Sequence, residues 1–433
     1  MNVKIEGRRK IRAKVAIPSD KSISHRSIMI GSLARGTTEI ENFLFAEDCL
    51  STINCFKKLG AEIEIKNDKV IVKGKNYSLY VPQQVLDCGN SGTTTRLLLG
   101  ILSTQEFEAV LDGDSSLRKR PMKRVTQPLS QMGASFEFLE KEDCLPIKVK
   151  GKKNLKPIDY TLPVSSAQVK SALIFAALKA EGKSVIKELP MSRDHTELML
   201  KSAGADIATC FENGFYKIEV MPSNLEALKI KVPSDISSAA FFIVLALICE
   251  DSEVIIENCI LNPTRTGIID ILKQMGADIE IGNVEIQNGE LVGTIVARSS
   301  NLKGVVVDKN DIPRIIDEIP ILAVAAAFAD GKTIIDNASE LRVKESDRIK
   351  TTLEMLRNFG AECYELENGL EIVGSRDNLK AGIVNSYNDH RIAMAASILA
   401  CAVEGESTIL NAECASISFP NFYEILLGHS KKV

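Results

Sequence analysis

The sequence predicts an α/β protein of two domains built from six similar units, three to a domain. Three observations predict it. A chain of 433 residues is too long for one ordinary hydrophobic core. A helix-ending phrase recurs at a period of about 73 residues, longer than the repeats of solenoids and propellers, and six such units fit the chain. Within each period, apolar spacing near 3.6 alternates with short Val- and Ile-rich runs, the pattern of helices set between strands.

The recurring phrase is an apolar residue, Gly, Ala and then a strand-like run. It appears as Leu59-Gly60-Ala61-Glu62-Ile63, Met132-Gly133-Ala134, Ala203-Gly204-Ala205-Asp206-Ile207, Met275-Gly276-Ala277-Asp278-Ile279 and Phe359-Gly360-Ala361. A glycine just past the last helical turn takes the left-handed conformation without a Cβ clash, so each copy predicts a helix C-terminus. A second phrase leads an Ala- or Leu-rich helix through a short turn into a β-branched strand: Leu33 to Thr38, Leu178 to Val185 and Phe328 to Ile334, with looser copies at Cys249 to Ile255 and Val403 to Ile409. Each unit therefore reads as strand, helix, strand, helix and further strands. Ile17-Pro18-Ser19-Asp20-Lys21-Ser22 is matched by Val232-Pro233-Ser234-Asp235-Ile236-Ser237, which predicts two corresponding crossings between domains. The first domain is expected at 20–230, and the second from 1–19 together with 231–433.

With 45% hydrophobic and 25% charged residues, the composition is that of an ordinary globular protein. The ten cysteines form no CxxC pair and no CxxC…H spacing, so neither a zinc site nor a redox dithiol is expected; they read as small buried hydrophobes in a reducing cytoplasm. The opening Met-Asn-Val-Lys-Ile-Glu-Gly lacks the apolar core of a secretory signal. The longest apolar stretch, Ser238 to Cys249, falls short of the roughly 20 residues that span a bilayer. Few aromatic residues and no Trp argue against nucleic acid as a partner.

The starts of the first helices point to anions. A cap-type residue precedes small or basic residues at Asp20-Lys21-Ser22, Asn90-Ser91-Gly92-Thr93, Ser165-Ser166-Ala167-Gln168, Ser234-Asp235-Ile236-Ser237 and Asp389-His390-Arg391. Unpaired N–H groups and the helix dipole make such termini sites for polyanions. Lys21, Ser22 and Arg26 place a cation where it opposes the dipole, which gains nothing structural; Ser22 and Arg26, at i and i+4, share a face that can hold one oxyanion. Gly92 opens an apolar helix and permits close approach of a phosphate or carboxylate, although a turn glycine is the commoner reading. Arg118-Lys119-Arg120-Pro121 is a basic run stopped by a proline suited to a helix start. Lys344-Glu345-Ser346-Asp347-Arg348 reads as one helix turn with Lys344, Glu345 and Arg348 converging on a side; a surface salt-bridge network is the competing reading. Asp317-Glu318, among Ile316, Ile319 and Leu322, is a carboxylate pair whose proton affinity partial burial can adjust.

Lys21-Ser22-Ile23-Ser24-His25-Arg26, Gly89-Asn90-Ser91-Gly92-Thr93, Arg118-Lys119-Arg120-Pro121-Met122, Arg342 through Arg348 and Asp389-His390-Arg391 resemble, in this order and across the whole chain, the signature set of the EPSP synthases. The resemblance implies a two-domain inverse α/β barrel of six βαβαββ units closing over a cleft. It implies no metal and no organic cofactor, a monomer, and two substrates, shikimate 3-phosphate and phosphoenolpyruvate. The family joins these through a tetrahedral adduct, formed when the 5-hydroxyl attacks the enolpyruvyl carbon and resolved when phosphate leaves. By resemblance, Lys21, Ser22, Arg26, Ser166, Gln168, Asp317 and Lys344 contact shikimate 3-phosphate. Lys21, Gly92, Arg120, Gln168, Arg348 and Arg391 hold phosphoenolpyruvate. Lys21, Asp317 and Glu345 are the catalytic set, with Asp317 taking the 5-hydroxyl proton and Glu345 handling the proton at the methylene carbon.

Two departures stand out. Arg96 is followed by Leu97 where the better-known branch has Pro, and Ile417 stands where that branch has a C-terminal lysine. The Ser192-Arg193-Asp194-His195-Thr196 run is similar to the family's other branch, in which Arg193 supplies a compensating charge to the bound substrates. The sister enolpyruvyl transferases acting on UDP-N-acetylglucosamine are disfavoured, because Ser22 replaces their Asn and the loop before Arg120 carries no cysteine. The resemblance further implies inhibition by glyphosate, an anion similar to phosphoenolpyruvate.

Overall fold

The computed structural model describes residues 1–66 and 69–432. Its strands form six sheets, one for each repeat. The second repeat shows the plan. Strand Leu86–Asp87 leads into helix Gly92–Leu102, strand Glu108–Asp112, helix Lys123–Met132 and the hairpin Ser135–Phe138 and Ile147–Lys150. The first two strands are parallel, and the last strand lies antiparallel between the second and third, giving the order first, second, fourth, third. The third repeat copies this order with strands 159–161, 184–188, 215–220 and 207–212.

In two sheets the leading strand is exchanged. Arg9–Lys14 precedes helix Lys21–Leu33 in the chain but runs parallel to Glu253–Ile260 of the fourth repeat. Lys229–Lys231 precedes helix Ile236–Ile248 but runs parallel to Thr37–Glu41 of the first. Val3–Glu6 pairs antiparallel with Glu406–Leu410 and so supplies a strand of the sixth sheet. Contacts divide the chain into one unit of 19–232 with 287–290, and another of 1–18, 233–286 and 291–433.

All five Gly-Ala phrases end helices in the same way. Gly60, Gly133, Gly204, Gly276 and Gly360 have φ of 87°, 112°, 87°, 94° and 86°. The alanine after each donates its N–H five residues back, to the carbonyls of Phe56, Leu129, Leu200, Leu272 and Leu356. These are Schellman motifs, and the following residue is thereby turned into a strand.

Each unit has three helices buried on every side. In the first they are Lys21–Leu33, Gly92–Leu102 and Ala167–Ala177; in the second, Ile236–Ile248, Ile319–Ala327 and His390–Ala402. A helix buried all round has no face for water, so these six make the two cores. The long apolar stretch at Ser238 is one of them, and no helix among the described residues is long and apolar enough to cross a membrane. Sheets lie outside: Glu62–Lys66 buries only Ile63, and Ile207–Glu212 only Ile207. With helices inside and sheets outside, each unit inverts the usual α/β barrel.

Candidate active site

In the unit of 19–232, three helix starts carry the predicted residues. Asp20 caps the first by accepting the N–H of Ile23 at 2.7 Å, and Ser91 caps the second by accepting that of Thr94 at 3.1 Å. Ser166 stands at the cap position of the third without making a side-chain cap bond. Lys21, in the first turn, pairs with the carboxylate of Asp48. Arg26 is buried: Nε donates to Thr196 Oγ1 at 2.6 Å, Nη2 to Ser171 Oγ at 2.9 Å and Nη1 to the Ser22 carbonyl at 3.0 Å. Arg26 thus also ties back to the Ser22 backbone one turn before it. Burial lowers the Arg26 pKa to about 10, so the group remains a cation at neutral pH.

Gly92 meets two guanidinium groups. A Cβ placed there would lie 2.7 Å from Arg96 Nη1 and 3.3 Å from Arg120 Nη1. Arg96 donates from Nη1 to Gln168 Oε1 at 2.7 Å, and Arg120 from Nη2 to Asn90 Oδ1 at 2.7 Å. Gln168 in turn donates to Thr93 Oγ1 at 3.1 Å. Of the three basic residues in line, only Arg120 is brought to Gly92. Arg118 is tied to Asp112 and Glu140, and Lys119 is exposed. Arg96 was absent from the expected site set, although its signal was present: at i+4 from Gly92 it must overhang the missing side chain. A buried relay joins the first two helices, running from His25 Nδ1 to Thr52 Oγ1 at 2.6 Å, to Thr94 Oγ1 at 2.7 Å and to Ser91 Oγ at 2.7 Å.

Arg193 lies in the loop between strand Ser184–Glu188 and helix His195–Ser202. That loop is fastened from below. Glu188 accepts the N–H and hydroxyl of Ser192 at 3.0 and 2.6 Å, and Lys170, wholly buried, donates to Glu188 at 2.6 Å and to the Ser192 carbonyl at 3.2 Å. Glu197 stands 2.8 Å from the same ammonium. Burial alone would lower the Lys170 pKa, but the two carboxylates outweigh it and raise it.

In the unit that carries the termini, Arg348 is the hub. Its Nε and Nη2 donate to Asp389 at 2.9 and 3.2 Å, Nη2 also to Glu345 Oε2 at 2.7 Å, and Nη1 to Asp317 Oδ1 at 3.3 Å. Lys344 Nζ reaches the same Asp317 oxygen at 3.5 Å. Burial works against the charge on Arg348, yet Asp389, Glu345 and Asp317 outweigh it and raise its pKa. Asp389 shifts the opposite way, because its burial is overcome by Arg348. Lys344 to Asp347 do not form the expected helix turn; they follow the 3₁₀ segment Ser339–Val343, and the helix begins at Arg348 with Asp347 as its cap. Asp347 accepts the Lys350 N–H at 3.3 Å, so the non-helical cap, with Lys344 extended before it, rather than helical spacing, turns Lys344 and Glu345 toward Arg348. Arg391 is buried, with Nη1 3.4 Å from the Ser237 carbonyl and 3.6 Å from Glu318 Oε1. Ile417 ends the 3₁₀ segment Ala412–Ile417, just before Phe419, which packs on Phe242 and Phe422.

His390, beside Arg391, is buried, and burial lowers its pKa to about 3. A depressed histidine contributes stability that is present above its unfolded value of about 6.5 and is lost as pH falls toward the folded value. Acidification from pH 7 to pH 4 is therefore expected to cost on the order of 3 kcal/mol through this group. Urea unfolding of wild type and His390→Asn checks this: the variant curve should be flatter over that range, and parallel curves would refute the assignment.

In this unit the cluster around Arg348 thus sets carboxylates beside cations, a combination suited to moving protons beside an anion, and the comparisons bear on which anion. The family model described as EPSP synthase (3-phosphoshikimate 1-carboxyvinyltransferase) matches residues 5–426. The chain is 78% identical to the 3-phosphoshikimate 1-carboxyvinyltransferase of Caldicellulosiruptor bescii over 433 residues, covering 100% of each. It is 51% identical to the protein of that name from Thermoanaerobacter sp. over 425 residues, covering 98% of this chain and 99% of that one. The solved EPSP synthase of Acinetobacter baumannii is similar with a TM-score of 0.87 and 42% identity, over 99% of this chain and 98% of that one. The chain belongs to the EPSP synthase family.

Proposed function

We propose that this protein transfers the enolpyruvyl group of phosphoenolpyruvate to the 5-hydroxyl of shikimate 3-phosphate, releasing phosphate. The observation that carries this reading is that Asp317 and Glu345 both bind the Arg348 guanidinium, at 3.3 and 2.7 Å. The reaction needs two proton handlers next to an anion clamp. In the addition step, the 5-hydroxyl oxygen bonds to C2 of phosphoenolpyruvate, its proton passes to Asp317, and C3 receives a proton from Glu345. In the elimination step, Glu345 takes a proton back from C3, the C2–O bond to phosphate breaks, and the departing phosphate takes up the proton that Asp317 had accepted, which restores both carboxyl groups.

Lys21, Arg120, Arg348 and Arg391 stabilise the charge on the phosphate and carboxylate as it shifts. Lys21, Ser22, Arg26, Ser166, Gln168, Arg193 and Lys344 bind shikimate 3-phosphate, and the protein works without metal or organic cofactor, as a monomer. Phosphate release should occur with phosphoenolpyruvate and shikimate 3-phosphate and not with UDP-N-acetylglucosamine in its place. Release with the nucleotide sugar would assign the chain to the sister activity, and release with neither would leave a binding protein.

Gly92→Ala tests the phosphoenolpyruvate assignment. The new Cβ would press on Arg96 Nη1, which Gln168 holds in place, and on Arg120. The KM for phosphoenolpyruvate is expected to rise about tenfold, as when one charged hydrogen bond is lost. An unchanged KM would remove Gly92 from the site.

A further inference from the structure

The mechanism uses Arg391 and gives no task to its neighbour Glu318. Glu318 stands at the cap position of helix Ile319–Ala327, fully buried, and neither carboxylate oxygen has a hydrogen-bond partner among the described residues. The other two core helices of the same unit begin with Asp235 and Asp389. Asp235 accepts the Ser237 N–H and a bond from Arg265, each at 2.9 Å. Asp389 accepts the Arg391 N–H at 2.9 Å and binds Arg348. Glu318 fills the equivalent place but caps nothing. A buried carboxylate without hydrogen bonds costs several kcal/mol, so packing gives no reason to have one there.

What faces Glu318 is Arg391. The pair stands 3.6 Å apart, outside hydrogen-bonding range, while Arg391 Nε is likewise buried and without a partner among the described residues. Asp389, by contrast, takes up the donors of Arg348 with direct bonds. A carboxylate set slightly too far to bond attracts the guanidinium without taking up its donors: Nη1 bonds the Ser237 carbonyl at 3.4 Å instead, and Nε has no partner among the described residues. We propose that Glu318 is a positioning residue that holds Arg391 by charge alone, so that the Arg391 donors serve the bound anion. This rests on the reading of Arg391 as a phosphoenolpyruvate ligand.

The test separates position from packing, because the two roles move stability in opposite directions. Glu318→Gln keeps the shape and removes the charge. It is expected to raise the KM for phosphoenolpyruvate about tenfold, to leave the KM for shikimate 3-phosphate within about twofold, and to leave the thermal midpoint equal or higher, since an unbonded buried charge is gone. In an Arg391→Lys background the same change should add little. A lowered midpoint with an unchanged phosphoenolpyruvate KM, or an equal rise for both substrates, overturns the proposal. Arg391→Lys alone identifies which idea has failed: if it leaves the phosphoenolpyruvate KM unchanged, the assignment of Arg391 is wrong and the proposal falls with it. Glu318→Met, also uncharged and of similar size, carries the same expectations should the glutamine variant not fold.

Discussion

Asp317→Asn is expected to lower kcat by about two to four orders of magnitude, the range general base catalysis supplies, with KM for each substrate changed by less than about threefold. The carboxylate is partly buried between Ile316 and Glu318, within 3.5 Å of Lys344 Nζ and 3.3 Å of Arg348 Nη1. Asparagine fills the same volume and can still accept from both cations, so binding and packing persist while the proton acceptor is lost. Steady-state kinetics with each substrate varied in turn checks this. A loss confined to KM would make Asp317 a binding group, and a kcat within tenfold of wild type would move the base elsewhere.

Lys170→Met should destabilise the protein by about 3 to 5 kcal/mol, because it leaves Glu188 and Glu197 buried without their ammonium. Both carboxylates and the lysine are almost wholly removed from water. Glu197 already feels that burial, which raises its pKa despite Lys170. Denaturant unfolding at pH 7 gives the magnitude; a shift below about 1 kcal/mol would show that the cluster is wetter than its burial indicates. Adding Glu188→Gln and Glu197→Gln to the same chain should restore much of the loss, since replacing a buried charge cluster with neutral groups is far cheaper than breaking it.

The repeat was legible in the sequence because its signal is local. A glycine at the end of a helix has one physical use, and each of the five Gly-Ala phrases closed a Schellman motif. The caps Asp20, Ser91, Asp235 and Asp389 were legible for the same reason. Ser166 was of the right type but made no side-chain cap bond, so residue type indicated the helix start without indicating the bond. Contacts between distant residues left no trace. Arg118 looked the equal of Arg120 until Asp112 and Glu140 engaged it. Lys170 and Arg265 lie in stretches that read as ordinary core or loop, and their partners are set by tertiary packing; Glu318 was read as half of a carboxylate pair, but the Arg391 that faces it was not visible. The exchanged strands were not visible: the paired Pro-Ser-Asp phrases did not tell that each leading strand pairs with a repeat three units away.

The exchange has a consequence for the order of events during synthesis. Residues 19–232 emerge as one continuous stretch and hold nearly all of their unit. Val3–Glu6 is made before that stretch, yet its partner strand Glu406–Leu410 is made well after it. At roughly 5 to 20 residues per second on the ribosome, the leading strand waits on the order of 20 to 80 seconds for its hydrogen bonds. During that interval it is an unpaired strand attached to a neighbour that is already folding, and the nascent chain must keep it from pairing elsewhere. The charges that alternate along it, Lys4 and Glu6, suit that wait, because charged unpaired strands resist association with other chains.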